Sequence, residues 1–212
     1  MNGERLVAAA AQQSLSRSPI DKHLDPEKWP EDKVKKWIDI LIVRGYHSPL
    51  EHSVYTFYIE GCSRVCSHQL VRHRIASYTQ YSQRWKKTME NYVLPPTVTR
   101  NEKLREMFIK TVEEAFKVYN ELIEEGVPPE DARYILPQAV TTKIIVTMNA
   151  RELLHVFSLR TCVRAQWEIR YVAWKMLYEV LKVHPLIFTH AGPTCLQTGK
   201  CPEGVPSENF KK

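Results

Sequence analysis

The feature that most restricts how this chain can fold is the run from Asn101 to Glu125. Leu104, Met107, Phe108, Thr111, Val112, Ala115, Val118, Tyr119 and Leu122 recur at three- and four-residue spacing, which puts them on one face of a long helix. Gly126 supplies the residue that ends it. A helix apolar on one side has to lie against another element, and nothing in this one suggests chemistry of its own.

The rest of the chain alternates between periods. Residues 4 to 15 predict a short helix, and a loop through Pro19, Pro26 and Pro30 separates it from a second, Asp32 to Arg44, with Val34, Trp37, Ile38, Leu41 and Ile42 on one face. Ser53 to Ile59 is β-branched and aromatic and reads as a strand that Gly61 ends. Ser63 suits the N-cap of a helix through Val65, Cys66, Leu70 and Val71, from which Arg72 to Arg84 leaves as a loop. Pro129-Glu130-Asp131 opens a short helix carrying Arg133, Thr141 to Thr147 reads as a strand, and helices follow over about Ala150 to Arg160 and Ala165 to Val183. The expected class is α+β: one domain over residues 1–185, a modest central sheet packed by long helices, then a loosely ordered tail over 186–212.

At 212 residues with 43% hydrophobic and 25% charged, the chain can bury a sizeable core, which disfavours disorder and coiled coil. Its net charge of +6 favours anionic ligands but is too dispersed for a duplex nucleic-acid face. Five cysteines form no even secreted framework, no basic-then-apolar leader opens the chain, and no stretch reaches about 20 uninterrupted apolar residues. A reduced, cytoplasmic, soluble protein is expected, without membrane or nucleic-acid partners.

The chemistry is concentrated between Arg72 and Arg84: three guanidiniums, an imidazole, hydroxyls and two amides within thirteen residues. Arginine matches phosphate in a two-pronged geometry, so a phosphorylated ligand, and first a nucleotide, is the natural partner. A solvated basic face or a salt-bridge network is the plain structural alternative. Neither Gly-x-Gly-x-x-Gly nor a phosphate-loop Gly-Lys-Thr motif is present, so a dinucleotide has to be held by side chains.

Arg72-His73-Arg74, seven residues, Ser82, then Arg84 resembles the signature of the flavin-dependent thymidylate synthases. In the family's order it is joined by Gly45-Tyr46-His47-Ser48-Pro49-Leu50-Glu51-His52 before it, and by Asp131-Ala132-Arg133, Asn149-Ala150-Arg151 and the run from Leu159 to Arg170 after it. The resemblance spans roughly residues 40 to 185. It implies the thymidylate synthase-complementing protein fold, a homotetramer, and methylation of dUMP to dTMP with FAD, methylenetetrahydrofolate as carbon donor and NADPH as reductant. It further implies that Ser48, Arg72, His73, Arg74, Gln80, Asn149, Arg151 and His155 contact FAD. For dUMP it implies Gln69, Arg72, Gln80, Tyr81, Ser82, Gln83, Arg84, Arg133 and Arg160, with Arg160 stabilising negative charge that develops on the pyrimidine. Thr79 and Gln80 depart from the family, whose members often carry an amide and an acid there; Gln80 keeps hydrogen bonds but not the charge.

Several of these residues have structural readings too. Asn149 suits a helix cap, His155 lies in sequence among Leu153, Leu154 and Phe157 like a core histidine, and Arg160 is within reach of a salt bridge with Glu152 or Glu168. Cys195 and Cys201, with His184 and His190 nearby, fit no common zinc spacing, so no metal is expected, and His47 and His52 read as loop residues. Cys162, two positions from Arg160, points to another side, and nothing adjacent to Ser82 provides a base, so neither is read as a nucleophile. The rival from another class is a non-catalytic RNA- or nucleotide-binding module that stacks bases on Tyr78, Tyr81 and Trp85.

Overall fold

The computed structural model describes residues 2–25, 28–85 and 90–204; Pro26 and the last residues of the expected tail, 205–212, lie outside the described residues. In chain order the elements are α1 (Gly3–Gln13), α2 (Asp21–Leu24), α3 (Glu31–Val43), β1 (Val54–Ser63), α4 (Arg64–Leu70), β2 (Ala76–Gln80) and α5 (Pro96–Thr99). After these come α6 (Glu102–Glu124), α7 (Pro129–Ala132), β3 (Thr141–Asn149), α8 (Ala150–Arg160), α9 (Trp167–Val183), α10 (Pro185–Phe188) and α11 (Thr194–Thr198). Single 3-10 turns cover Ser48–His52 and Arg133–Ile135. The strands form one three-stranded antiparallel sheet in the order β1-β3-β2, so the protein is α+β as expected.

By packing, the chain divides into two compact units: Met1–Phe57, His73–Ser77 and Thr147–Lys212 form the first, and Tyr58–Arg72 with Tyr78–Val146 the second. In the first, α1 packs on α3 and on the Ser48–His52 turn, while α8 and α10 pack on α9. Its core holds Val7, Ile38, Leu50, Leu153, Phe157, Ile169, Ile187 and Phe188, all essentially without solvent contact. In the second, Val112 and Phe116 of α6 pack with Val140, with Tyr92, Phe108 and Leu136 at the margin.

Local chemistry explains several helix ends. Asn2, Ser63, Asn101 and Asn149 each accept a backbone N–H two or three residues into the following helix, at Arg5, Cys66, Leu104 and Glu152. The long helix stops before Gly126, whose φ of 84° is left-handed.

Three local expectations need correcting. β1 does not stop at Gly61; the glycine takes φ 79° and the strand continues to Ser63, because a residue without Cβ can take a positive φ inside a strand. The arginine segment is not all loop, since Ala76–Gln80 pairs as β2. The chain past 185 is also not loose from its start: Leu186 donates its N–H to the Glu4 carboxylate at 2.7 Å, and Ile187 and Phe188 are buried. Among the described residues, no helix is long and apolar enough to cross a membrane.

Candidate functional site

The sequence-predicted residues fall into two groups, one in each unit. In the first unit they gather on α8 and its approach. Asn149 caps α8, accepting from the Glu152 N–H at 2.9 Å, so the capping reading of Asn149 holds. Arg151 is exposed and pairs with Glu51 of the Ser48–His52 turn at 2.6 Å; Ser48 is exposed in the same turn. Such a half-exposed ion pair is worth about 1 kcal/mol or less, so Arg151 can exchange partners at small cost.

His155 is not the core histidine that its sequence neighbours suggested. It lies on the exposed side of α8, while Leu153, Val156 and Phe157 turn inward. Its ring stands edge-on to that of His73, centroids 6.0 Å apart.

His73 is the buried member of the arginine motif, 5% exposed, whereas Arg72 and Arg74 on either side are exposed. Arg160, at the last turn of α8, forms a salt bridge with neither Glu152 nor Glu168. Its Nε–H donates to Nε2 of His73 at 3.0 Å. That bond requires a lone pair on Nε2 and therefore a neutral imidazole with its proton on Nδ1. Burial, then the electrostatic influence of Arg160 and of the neighbouring His155, hold His73 down to about 4. The Glu152 carboxyl lies 3.8 Å from Nδ1 and is itself buried. With the imidazole neutral this approach is not an ion pair, and it is too long for a hydrogen bond. Burial raises the Glu152 pKa against the pull of His155 and Arg151.

Arg160 also lines a cleft of about 310 Å³ with Leu159, Cys162, Arg164, Cys195 and Cys201. Three thiols thus line one space, and the approach of Cys162 to Cys195 and Cys201, 33 and 39 positions later, could not be read from the sequence. Even so, no group of three or more His, Cys, Asp or Glu among the described residues could hold a metal ion.

In the second unit, Gln80 turns inward at the end of β2. Its Nε2 donates to Ser67 Oγ at 2.9 Å and to Thr142 Oγ1 at 3.2 Å, so both amide protons are used within the protein and only the carbonyl oxygen remains for a ligand. Gln69 and Tyr81 are half-buried, and Lys143 stands 5.6 Å over the Tyr81 ring. Ser82 accepts from the Arg84 N–H at 3.2 Å, and the Arg84 side chain pairs with Glu130 at 2.5 Å.

Gln83 and Arg133 line a cleft of about 450 Å³ with Arg64, His68, Tyr134 and Gln138. Arg133 is half-buried, its Nε–H donating to the Glu130 carbonyl at 3.0 Å. Burial, then repulsion from Arg133, lower the pKa of Arg64. Among the described residues neither guanidinium has a carboxylate partner, and two like charges sharing a cleft make a place that an anion relieves. Arg64 and His68 were missed in the sequence. They precede the motif on α4, and only the fold brings them beside Arg133.

Exposed guanidiniums, a basic cleft and a histidine holding an arginine belong to the class of proteins whose anion-binding chemistry is carried by side chains rather than by a glycine-rich loop. Residues 1–186 match the family model described as thymidylate synthase complementing protein. The chain is 54% identical over 198 residues to the flavin-dependent thymidylate synthase of Sulfolobus acidocaldarius, covering 92% of this chain and 75% of that one. It is 50% identical over 204 residues to that of Geobacter sulfurreducens, covering 95% and 87%. Among solved structures, the UMP/dUMP methylase PolB from Streptomyces cacaoi, bound with 5-Br dUMP, superposes with a TM-score of 0.80 at 25% identity, covering 90% of this chain and 92% of that one. The chain belongs to the flavin-dependent thymidylate synthase family.

Proposed function

We propose that this chain methylates dUMP to dTMP, with FAD as cofactor, methylenetetrahydrofolate as carbon donor and NADPH as reductant. The observation that carries the reading is the likeness to flavin-dependent thymidylate synthases over nearly the whole chain, at about half of all positions identical. The relative bound with a dUMP analogue supports the choice of nucleotide.

The donor set in the first unit fits a flavin dinucleotide. Arg74 carries an exposed guanidinium without a carboxylate partner among the described residues, and Arg151 next to the Asn149 cap can leave Glu51 for a phosphate. We assign Ser48, Arg72, Arg74, Gln80, Asn149, Arg151 and His155 to FAD on the family resemblance, which also points to His73. When bound and reduced, the flavin supplies the hydride that completes the methyl group.

The nucleotide falls to Gln69, Arg72, Gln80, Tyr81, Ser82, Gln83, Arg84, Arg133 and Arg160. The cleft lined by Gln83 and Arg133 supports a phosphate there, because among the described residues Arg64 and Arg133 have no carboxylate partner. Amides suit a uracil edge because each both donates and accepts. Arg160 is the catalytic residue in this reading: its guanidinium stabilises the negative charge that gathers on the pyrimidine as C5 becomes nucleophilic, without a covalent thiol adduct. Its support is local: its Nε–H is held by an imidazole nitrogen, and among the described residues no carboxylate pairs with it.

The enzyme is proposed as a cytoplasmic homotetramer. Tyr171, Trp174 and Tyr178, at helical spacing on α9, are 59%, 43% and 60% exposed, a stripe of aromatic surface that another copy would cover.

Purification tests the cofactor directly. A yellow protein with flavin absorbance, or one that FAD reconstitutes, is expected. A colourless protein that FAD cannot reconstitute, and that binds RNA with steep salt dependence, belongs to the rival RNA-binding reading.

A further inference from the structure

We propose that His73 is a positioning residue for Arg160, accepting the Nε–H of its guanidinium on an unprotonated ring nitrogen and so fixing the plane in which the guanidinium faces its ligand. The proposal rests on the reading of Arg160 as the group that polarises the pyrimidine, and it gives His73 a task other than the flavin contact implied by the family resemblance.

The geometry carries it. Arginine has a long side chain with many rotamers, and a group that stabilises charge in a transition state has to be held in place beforehand. Arg160 sits at the last turn of α8, followed by Thr161 as the C-cap. Its Nε–H donates to His73 Nε2 at 3.0 Å, which fixes the torsion nearest the guanidinium and leaves both Nη groups for other partners. A carboxylate in the same place would hold the arginine equally well but would cancel much of its charge. A neutral imidazole holds it and leaves the charge intact.

His73 is suited to this task because it is buried at 5% and set in place by α8 itself. The Glu152 carboxyl lies 3.8 Å from Nδ1, where it favours the proton on that nitrogen and so the lone pair on Nε2. The ring of His155 closes another side edge-on. Glu152, His155 and Arg160 all belong to α8, so one helix carries both the group that is positioned and two side chains that flank its holder.

Three proteins test this: wild type, His73→Gln and His73→Leu. Glutamine can place an acceptor oxygen near the position of Nε2; leucine cannot. The first readout is independent of any catalytic assignment. In 15N-labelled wild type, a scalar coupling across the hydrogen bond should join the Arg160 Nε and the His73 Nε2, and histidine 15N shifts should report the Nδ1–H tautomer.

The second readout is steady-state kinetics on FAD-loaded protein. His73→Leu should keep FAD, lower kcat by about 100-fold and leave KM for dUMP within a few-fold, the size expected when a reacting group is misplaced by about 1 Å. His73→Gln should recover kcat to within about 10-fold of wild type. The proposal is overturned if the coupling is absent in wild type, if glutamine and leucine are equally impaired, or if both variants shed FAD, which would make His73 a flavin contact. Wild type that shows the coupling but turns over no dUMP would overturn the role through the functional reading, with the hydrogen bond itself intact.

Discussion

Gln80 reaches back from the end of β2 to Ser67, donating at 2.9 Å to a hydroxyl that has no solvent contact, and the same amide nitrogen serves the buried Thr142 on β3. The residue is thus structural as well as a ligand candidate. Replacing it by leucine removes two bonds at hydroxyls with no water nearby to replace them, and should cost about 1–3 kcal/mol of stability, read as a lower denaturation midpoint in urea. Gln80→Glu removes the amide protons and should also destabilise, by less if the carboxyl accepts from the two hydroxyls. An unchanged midpoint in both variants would show that the amide is not tied down.

Gly3 tests close packing where α1 begins. A Cβ built there would overlap Ser53 Oγ and lie 2.8 Å from His184 Cε1, and the Gly3 N–H donates to His184 Nε2 at 3.1 Å. The other ring nitrogen of His184 is tied to the Tyr55 hydroxyl at 2.8 Å, so the imidazole cannot swing aside freely. Gly3→Ala should therefore destabilise by about 1–3 kcal/mol despite alanine's better helix propensity. A midpoint equal to or above wild type would mean that the N-terminus moves away without penalty.

The buried His73 predicts an acid-sensitive stability. Its pKa falls from 6.5 in the unfolded chain to about 4 in the folded one, so the unfolded state binds the proton more tightly. The stability His73 contributes is full above pH 6.5 and is lost as pH falls from there through 4, by about 3 kcal/mol in all. His184, also depressed by burial, acts in the same direction, and Glu152, raised by burial, acts oppositely. The comparison that isolates His73 is wild type minus His73→Gln in denaturation series between pH 7 and pH 4. The gap should close toward low pH; a constant gap would contradict the assignment.

Much of the fold was legible. Periodicity located the long α6, and side-chain caps at Ser63, Asn101 and Asn149 marked where helices begin, because capping is local chemistry. Pairing in β2 was not legible: Ala76–Gln80 is a strand because β3 offers it an edge, and that edge is some 60 residues away in sequence. Gly61 misled because a positive φ can be used inside a strand as well as after one. The stretch after 185 misled because its Gly and Pro outweighed Leu186-Ile187-Phe188, which turn out to be core. For the site, motif residues were identified from sequence, while the state of His73, the inward turn of Gln80 and the company of Arg64 depend on contacts that sequence spacing does not encode.

Arg74 and Arg160 should fail differently. Arg74→Ala is expected to weaken FAD retention, because it removes an exposed guanidinium free to meet phosphate. Arg160→Ala should keep FAD and lower turnover. Flavin absorbance after gel filtration, beside kcat, separates the two, and equal FAD loss in both would undo the division of roles.

The aromatic stripe on α9 predicts self-association. Light scattering should give a mass near four times the 24.8 kDa chain, and Tyr171→Glu with Tyr178→Glu should lower it. A monomer with full activity at the same concentration would refute the tetramer.

The central claim is methylation of dUMP at C5 with no protein thiol attached to the ring. Its most direct measurement is release of tritium from C5-labelled dUMP, together with dTMP formation, by FAD-loaded protein given methylenetetrahydrofolate and NADPH. Wild type, Cys162→Ala and Ser82→Ala are to be compared. The account predicts release coupled to dTMP in wild type, a rate near wild type in Cys162→Ala, and a weakened but active Ser82→Ala. Unlabelled water and unchanged dUMP from wild type with FAD bound, or complete loss of release in Cys162→Ala with FAD retained, would contradict it.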